Sequence, residues 1–377
     1  MKAPGFLRKL LGLHSVSGND QEWSEKVHME PIYTTEPTDT STSQLTKKEL
    51  SIKIPEPSTL TKDDCETMLS SLGVKPETIK ISRQESKDSK ATVIVGEFFH
   101  HERSDIQYGD GILRNTFIHL KGIGPQKEAA LWEDGIMTHE DALDKNILAT
   151  RRNCLRNSRH DIENRNFYQF YEGMSSKDHW RLFGDLIGET AYVDIETTGL
   201  TSSTDIITTA VVHSLRNTHV FVNGMNLEEL PGHLSKFKLI ITYNGKSFDI
   251  PFIERFFRTK IPAPHIDLRY VLSGLGYKGG LKSCEQQLRL PNRNGMEEID
   301  GFTAVLLWNY YCKTKNPKSL ETLLAYNYED SVRLEWLMIE AYNKKVSGLP
   351  FNIHSLHKPR LPANPYRSHP DVLRRIL

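Results

Sequence analysis

Four acidic residues in three separate segments have the types and spacing of a metal site. The first two, Asp194 and Glu196, end the apolar run "AYVDIETTGL" at residues 191–200. On a strand, residues i and i+2 project from the same face, and two adjacent carboxylates repel unless a cation or a proton lies between them. A solvent-exposed Glu196 in the turn after the strand explains this pair equally well when it is considered alone.

Two further segments supply the other acids. The stretch "TYNGKSFDIPFIERFF" runs from an apolar strand into an amphipathic helix that begins near Asp249, a position where Asp is commonly a cap. The stretch "LETLLAYNYEDSVRLEWLMIEAY" predicts a long helix, on which Tyr326 and Asp330 are four residues apart and share a face. We expect the strand and the two helices to converge at one edge of a sheet.

The chemistry of this set is that of a divalent metal ion. Carboxylates alone form an oxygen-only ligand set, which suits Mg²⁺ or Mn²⁺ rather than zinc. Two such ions about 4 Å apart can activate a water molecule and stabilise the leaving oxygen of a phosphodiester. Tyr326, one turn before Asp330, is placed to orient that water. The pattern therefore predicts phosphodiester hydrolysis with two Mg²⁺ or Mn²⁺ ions.

The elements that must position these residues form an α/β pattern. Strand-like runs "TAYVDIE", "DIITTAVVH", "THVFVNG" and "KLIITYNG" follow one another, and helical patterns dominate from Ser247 onward. Three strands in a meander followed by alternating strands and helices predict a mixed sheet that helices cover.

The rest of the chain divides by composition. Residues 15–60 are rich in Thr, Ser, Pro, Glu and Lys, and such a segment cannot bury enough apolar surface to offset its ordering entropy. The predicted organisation is a disordered tail or linker at 1–61, a small α+β element at 62–115, a helix-hairpin-helix-like segment at 116–145, a helical connector at 146–188, the main domain at 189–345 and an extended C-terminal tail at 346–377.

The motifs resemble a known nuclease family. "DIETTG", "YNGKSFDIPFIERF" and "YNYED" resemble the three motifs of the DEDD exonuclease superfamily, in its tyrosine subclass. The middle motif also resembles the proofreading domain of family B DNA polymerases. From near residue 108 to about residue 345 the chain resembles the YprB-like group of predicted exonucleases. The resemblance implies a ribonuclease H-like mixed five-stranded sheet flanked by helices, and a 3′–5′ exonuclease that releases 5′-mononucleotides from single-stranded DNA or RNA ends.

The same resemblance assigns roles to individual residues. It implies that Asp194, Glu196, Asp249 and Asp330 are the metal ligands and that Tyr326 orients the water. Tyr328 is a second phenol nearby, but two residues along a helix it points to another face. Asp267 in "PHIDLRY" is a candidate for a supporting position beside the site.

Substrate contacts are expected around the first two motifs. The loop "TTGL" can offer backbone N–H groups and an apolar wedge to a terminal nucleotide, and Asn244 and Phe248 flank the second motif. Core packing is the slightly favoured alternative for Phe248. Lys278 and Lys282, in "GYKGGLKSCEQQLRL", are candidates for phosphate contacts. The predicted substrate-binding residues are Thr197, Thr198, Gly199, Leu200, Asn244, Phe248 and Lys282.

The segment "KGIGPQKEAAL" looks like a helix-hairpin-helix. Gly122 and Gly124 permit a tight turn, and Pro125 suits the first turn of a helix. Such modules bind the nucleic-acid backbone through loop N–H groups, whatever its sequence. A helical hairpin that only packs against the main domain explains the pattern equally well.

Whole-chain properties restrict the remaining possibilities. Lys+Arg and Asp+Glu both count 48, so net charge gives no information about partners. The four cysteines form no C-x-x-C pair, which argues against a zinc module or a disulfide framework and favours a reducing cytoplasm. No run approaches the roughly 20 apolar residues of a membrane span. The expected partner is nucleic acid, with oligomeric state left open. The alternatives are a nucleic-acid-binding scaffold with an idle nuclease domain and a metal-dependent endonuclease.

Overall fold

A computed structural model of the chain describes residues 93–99, 111–201, 203–293, 295–296 and 299–377. The predicted disordered tail at 1–61, and most of the small element predicted at 62–115, lie outside these residues.

Six strands form one mixed sheet in the order β1-β4-β3-β2-β5-β6. They are β1 (Glu97–Phe99), β2 (Thr190–Thr197), β3 (Ile207–Ser214), β4 (Asn217–Val222), β5 (Leu239–Thr242) and β6 (His265–Asp267). Strands β2, β3 and β4 form an antiparallel meander, whereas β5 and β6 run parallel to β2. The predicted meander and mixed sheet are confirmed.

The sheet has one strand more than the five that we expected. Residues Glu97 to Phe99, assigned from the sequence to a separate small element, pair antiparallel with β4, with Phe98 opposite Thr218. The physical reason is that β4 would otherwise end the sheet with a row of unpaired backbone groups.

Twelve α-helices occur in the described part of the chain. They are α1 (Pro125–Glu133), α2 (His139–Asp144), α3 (Arg152–Glu163), α4 (Tyr168–Gly173), α5 (Phe183–Leu186), α6 (Leu230–Leu234), α7 (Asp249–Phe257), α8 (Leu268–Ser273), α9 (Leu281–Gln287), α10 (Gly301–Thr314), α11 (Pro317–Val346) and α12 (Pro370–Ile376). None of the helices that the structure describes combines the length and apolar composition needed to cross a membrane.

Helices cover both faces of the sheet. On one face, alternate β2 residues such as Val193 pack with Leu230 of α6 and Phe252 of α7 in a buried cluster. On the other face, Val211 of β3 packs with Leu323 of α11 in a second cluster, to which α10 also contributes. Because side chains alternate along a strand, Asp194 and Glu196 lie on the face opposite Val193, the face that α11 covers.

Helix α11 is the long helix that the sequence predicts. Its first turn contains Pro317, and the side chain of Asn316 accepts the N–H of Lys318 at 3.1 Å, so the start is capped. The helix continues for 30 residues and carries Tyr326 and Asp330 near its middle. Burial of its apolar face against the sheet fixes both residues at the end of β2.

In the segment before the main domain, two short helices, α1 and α2, follow the turn at Gly122 and Gly124, and residues 116–121 before that turn are not helical. Gly124 precedes Pro125 at the start of α1, Gly122 has a φ of +81°, and Thr138 and Asp141 form the expected capping box of α2. Glu128 of α1 is buried and accepts two hydrogen bonds from Arg181, which lies in the turn before α5. The hairpin is therefore tied to the segment that leads into β2.

The C-terminal segment is not extended throughout, which corrects the sequence-based prediction. Residues 350–369 are irregular, but the chain then forms α12, which packs against α10. Pro370 lies in the first helical turn, where its missing N–H breaks no hydrogen bond, and Val372 is buried. The hydroxyl of Tyr366 donates to the carbonyl of Ile94 at 2.7 Å, which joins this segment to the residues before β1.

Candidate metal centre

Three of the predicted ligands meet at one point. Asp194, Glu196 and Asp330 each place a side-chain oxygen within 4.8 Å of the other two. The first two come from the end of β2 and the third from α11. Glu196 and Asp330 are only 8% and 6% exposed, whereas Asp194 is partly exposed, so the cluster is mostly buried but reaches solvent at Asp194. Such an oxygen-only group of carboxylates can hold a divalent cation of the Mg²⁺ or Mn²⁺ kind.

The electrostatics of the cluster fit a cation site. Burial, followed by the neighbouring charge of Asp330, raises the pKa of Asp194 and of Glu196 well above the ordinary values. Because the two carboxyls hold their protons this strongly, their ionised forms require a positive charge close by. The donor set therefore fits the divalent ions that the sequence predicts.

Asp249 lies beside the cluster at the first residue of α7. Its Oδ1 accepts the N–H of Ile195 at 3.2 Å, so the side chain is anchored to the backbone of β2 between the two other acids. Burial raises its pKa to about 7, against the opposing effect of its backbone hydrogen bonds. Its charge also raises the pKa of Asp194 and of Glu196, which shows that the fourth predicted ligand is close.

The structure separates the two candidate tyrosines. Tyr326 lies near the carboxylates, and burial, followed by the charges of Asp330 and Glu196, raises the pKa of its phenol. Its hydroxyl is therefore neutral. Tyr328 is buried elsewhere, in edge-to-face contact with Phe98 and Tyr366. The helical argument that favours Tyr326 thus agrees with the placement of both rings.

Asn327 is a site residue that the sequence reasoning missed. Its amide nitrogen donates to the Oδ2 of Asp194 at 2.7 Å, and its carbonyl oxygen accepts the hydroxyl of Thr209 at 2.9 Å. The side chain is fully buried, so these bonds satisfy groups that could not reach water. The only signal in the sequence is an amide between two tyrosines on a helix, which does not by itself indicate a contact with Asp194.

A second missed feature is a buried network of ionic groups around Asp330. Arg293, in the loop after α9, donates to Asp330 Oδ1 and forms a two-bonded pair with Glu285 of α9. Arg333 of α11 lies 3.6 Å from Glu285 and also donates to the carbonyl of Pro291 at 2.7 Å. These long-range pairs could not be placed from the sequence, since nothing local relates the loop to α11.

The loop after β2 is held by its own hydrogen bonds. The hydroxyl of Thr197 donates to the carbonyl of Gly199 at 2.6 Å, and the hydroxyl of Thr198 accepts the N–H of Ile206 at 3.0 Å. A Cβ at Gly199 would lie 2.6 Å from the Asp205 carboxylate, so glycine is required by the close approach. Leu200, four residues after Glu196 in the sequence, is 86% exposed to solvent.

The predicted residues around the second motif have mainly supporting contacts. Asn244 has a φ of +65°, and Asp267 stabilises that turn by accepting the N–H groups of Asn244 and Lys246 at 2.8 and 3.1 Å. Asp267 is thus a positioning residue. Phe248 is half-buried and packs against Phe252 at a ring separation of 5.6 Å, in keeping with the core-packing alternative.

The two lysines differ in surroundings. The ammonium of Lys282 donates to the carbonyls of Met296 and Ile299 and lies 5.3 Å from the ring centroid of Tyr326. Its charge is therefore near the carboxylates but is engaged by the backbone. Lys278 is exposed and, with Asn244, lines a cavity of about 670 Å³ at the carboxyl ends of β5 and β6.

Comparison with protein families gives one match in the region just described. Residues 191–342 match the family model RNase_H_2, whose description is RNase_H superfamily. The match spans β2 to α11 and contains all four acids and Tyr326. The main domain therefore has the ribonuclease H-like α/β fold, and the match together with the acidic cluster supports a nuclease. The match covers less than half of the chain.

Solved structures resemble the domain only distantly. A family B DNA polymerase from the archaeon Pyrobaculum calidifontis is 17% identical with a TM-score of 0.33, and the match covers 43% of this chain but only 26% of the polymerase chain. NrnC from Brucella melitensis with bound Mg²⁺ is 17% identical with a TM-score of 0.23, covering 42% of this chain and 86% of that one. Likeness at this level carries no inference about function. No curated protein matches the chain.

Proposed function

We propose that the chain is a metal-dependent 3′–5′ exonuclease that removes 5′-mononucleotides from single-stranded ends of DNA or RNA. The observation that supports this most directly is the meeting of Asp194, Glu196 and Asp330 within 4.8 Å, next to the neutral phenol of Tyr326. The endonuclease and the idle scaffold are alternatives that the experiment below distinguishes.

Two Mg²⁺ or Mn²⁺ ions are the proposed cofactors. When bound, such ions lower the pKa of a water molecule and stabilise the leaving oxygen of the phosphodiester. Asp194, Glu196 and Asp330 would hold them, with Asp249 completing the set. An all-carboxylate site fits these hard cations, whereas a zinc site would require nitrogen or sulfur ligands.

Three other residues would orient the metal ligands, the water and the substrate. Asn327 fixes the orientation of the Asp194 carboxylate. Tyr326, as an un-ionised phenol, can hydrogen-bond to the attacking water and orient it. Leu200, which is exposed, offers an apolar surface on which a terminal base can stack. Together these roles position one strand end for hydrolysis.

The test is a nuclease assay with 3′- and 5′-labelled DNA and RNA oligonucleotides in Mg²⁺ or Mn²⁺. We expect the wild type to shorten strands from the 3′ end, and Asp194→Asn and Asp330→Asn to abolish that activity while remaining folded. Asp371→Asn is the matched control, since Asp371 lies on the surface beside Lys318. Full activity in both site variants would refute the proposal.

One further substrate and one binding measurement separate the alternatives. A circular single strand has no end, so its cleavage would identify an endonuclease. A protein that binds oligonucleotides but degrades none of them under either metal would be the scaffold. Either result would replace the exonuclease proposal.

We propose that the turn before α1 is a second contact point for the nucleic-acid strand, at a distance from the metal centre. Lys121, Gly122 and Gly124 are exposed in the turn before α1, where backbone N–H groups and one ammonium can meet phosphates. Lys121→Ala should weaken binding uniformly across sequences and lower the salt dependence by about one phosphate contact. Unchanged binding at several salt concentrations would favour the packing-only interpretation.

A further inference from the structure

Arg293 occupies an unusual position for a cation. It is 4% exposed, and its guanidinium contacts Asp330, one of the three clustered carboxylates. The remaining nitrogens are bound to Glu285, one of them at 2.9 Å. A buried guanidinium is strongly destabilising unless it is paired, so the two buried carboxylates that bind Arg293 are needed to keep it in this position.

The position is fixed from a second direction. Arg333, on the same helix as Asp330, lies 3.6 Å from Glu285 and donates to the carbonyls of Pro291 and Asn292 at 2.7 and 3.4 Å. These bonds attach the loop that carries Arg293 to α11. The guanidinium is therefore directed at the carboxylate cluster by the fold and is not a surface side chain that happens to reach it.

A divalent ion held by the cluster would share the Asp330 carboxylate with Arg293, whose guanidinium already binds its Oδ1. An ion at the point where Asp194, Glu196 and Asp330 meet would use Asp330, and it would lie close to the guanidinium. The positive charges of the ion and of the guanidinium would repel each other strongly, because a buried environment screens charges less than water does. The guanidinium also offsets part of the repulsion among the three clustered carboxylates, since it binds one of them.

We propose that Arg293 is the internal counter-ion of the metal-free site, which a divalent ion must displace from Asp330 in order to bind. This inference rests on the proposed function and concerns the regulation of the same site. Apparent metal affinity falls in proportion to the fraction of molecules in which Asp330 is free. The device keeps the protein folded without metal and sets the metal concentration at which the site fills.

The test measures Mn²⁺ binding by calorimetry to the full-length chain, with no substrate present. Arg293→Gln should bind Mn²⁺ about tenfold more tightly than the wild type or better, since the competing cation is gone. Its unfolding temperature in chelator should fall, and Mn²⁺ should raise that temperature by more than it does in the wild type. Arg289→Gln is the matched control, because Arg289 is exposed four residues earlier and the loss of charge is the same.

The outcomes distinguish this inference from the nuclease proposal. Wild-type binding of Mn²⁺ with unchanged or weaker binding in Arg293→Gln overturns the counter-ion role alone. If neither the wild type nor Arg293→Gln binds Mn²⁺, both the counter-ion role and the metal-dependent nuclease proposal are overturned. Should Arg293→Gln fold only when Mn²⁺ is added, the metal has taken over the role of the guanidinium and the inference stands. Arg293→Met, which keeps the apolar stem, must give the same tighter binding.

Discussion

The side chain of Asn327 connects Asp194 to the neighbouring strand. It donates to the Asp194 carboxylate at 2.7 Å and accepts from the Thr209 hydroxyl at 2.9 Å, so the carboxylate is held through one amide by β3. Replacing this amide is the most direct way to disturb the orientation of the acid without removing the acid.

Asn327→Ala should lower nuclease activity about 10- to 100-fold while the chain stays folded, because partners of metal ligands typically contribute that much. The measurement is initial rate against Mn²⁺ concentration. Ser331→Ala is the control, since the Ser331 hydroxyl, on the same helix, donates to the carbonyl of Val211 at 3.0 Å. Equal activities in the two variants would exclude a positioning role for Asn327.

Tyr326→Phe should reduce kcat by about 100-fold and leave KM nearly unchanged, because the hydroxyl acts on the attacking water and not on the strand. Tyr328→Phe is the matched change two residues along. It removes a phenol that packs in the core, so we expect normal kcat and a modest loss of stability. The idea fails if the two variants have the same kinetics.

Leu200→Ala should raise KM about tenfold, the effect of losing one stacked base, with no change in thermal stability. The stability expectation follows from the 86% exposure of Leu200, whose truncation creates no cavity. Steady-state kinetics on a short single strand provide the measurement. A fall in melting temperature without a KM effect would assign the side chain a packing role instead.

Acid should destabilise the protein through buried neutral histidines such as His233. Burial, then the charges of His219 and Lys236, lowers the pKa of His233 from 6.5 to about 3. Since the unfolded chain takes up the proton first, the stabilisation is complete above pH 6.5 and is lost as pH falls toward 3, by at most about 1.4 kcal/mol per unit.

His233→Phe therefore should lose less stability than the wild type between neutral and acidic pH. The ring lies among Phe221, Phe237 and His219, so phenylalanine suits the site, and the buried Nε2 has no hydrogen bond to lose. Denaturant unfolding at several pH values provides the curves. The exposed His357→Phe is the control and should follow the wild type. Parallel curves for all three proteins would contradict the assignment.

The link between the hairpin and the main domain can be tested at Glu128. Glu128→Ala should cost about 3–5 kcal/mol, because it leaves the buried Arg181 without a charged partner. It also removes the acceptor for the N–H groups of Phe117 and Ile118. Chemical denaturation measures the loss. The half-exposed pair of Arg159 and Glu163 is the comparison, and breaking it should cost about 0–1 kcal/mol.

Local patterns predicted much of the architecture, because they depend on alternation and capping. The runs that became β2 to β5, the helix that carries Tyr326 and Asp330, and the capping box at Thr138 follow from neighbouring residues alone. The same patterns also predicted that the four acids lie near one edge of the sheet.

Long-range pairing was beyond those patterns. The addition of β1 to the sheet depends on residues more than a hundred positions away, and the approach of Arg293 to Asp330 depends on how one loop lies across α11. The contact of Asn327 with Asp194 could not be predicted for a related reason, since the sequence of a helix does not show which partner a polar side chain binds. Helix α12 was not predicted, because the prolines in the C-terminal segment usually indicate an extended chain.

The contact between Tyr366 and Ile94 has a practical consequence for anyone who shortens this protein. Ile94, just before β1, accepts a hydrogen bond from Tyr366, near the C-terminus, and β1 covers the outer edge of β4. A fragment limited to the matched residues 191–342 would lose both, and β4 would then present bare peptide groups to other molecules. Such a fragment should associate strand to strand and precipitate, although Asp194, Glu196, Asp249 and Asp330 are all present.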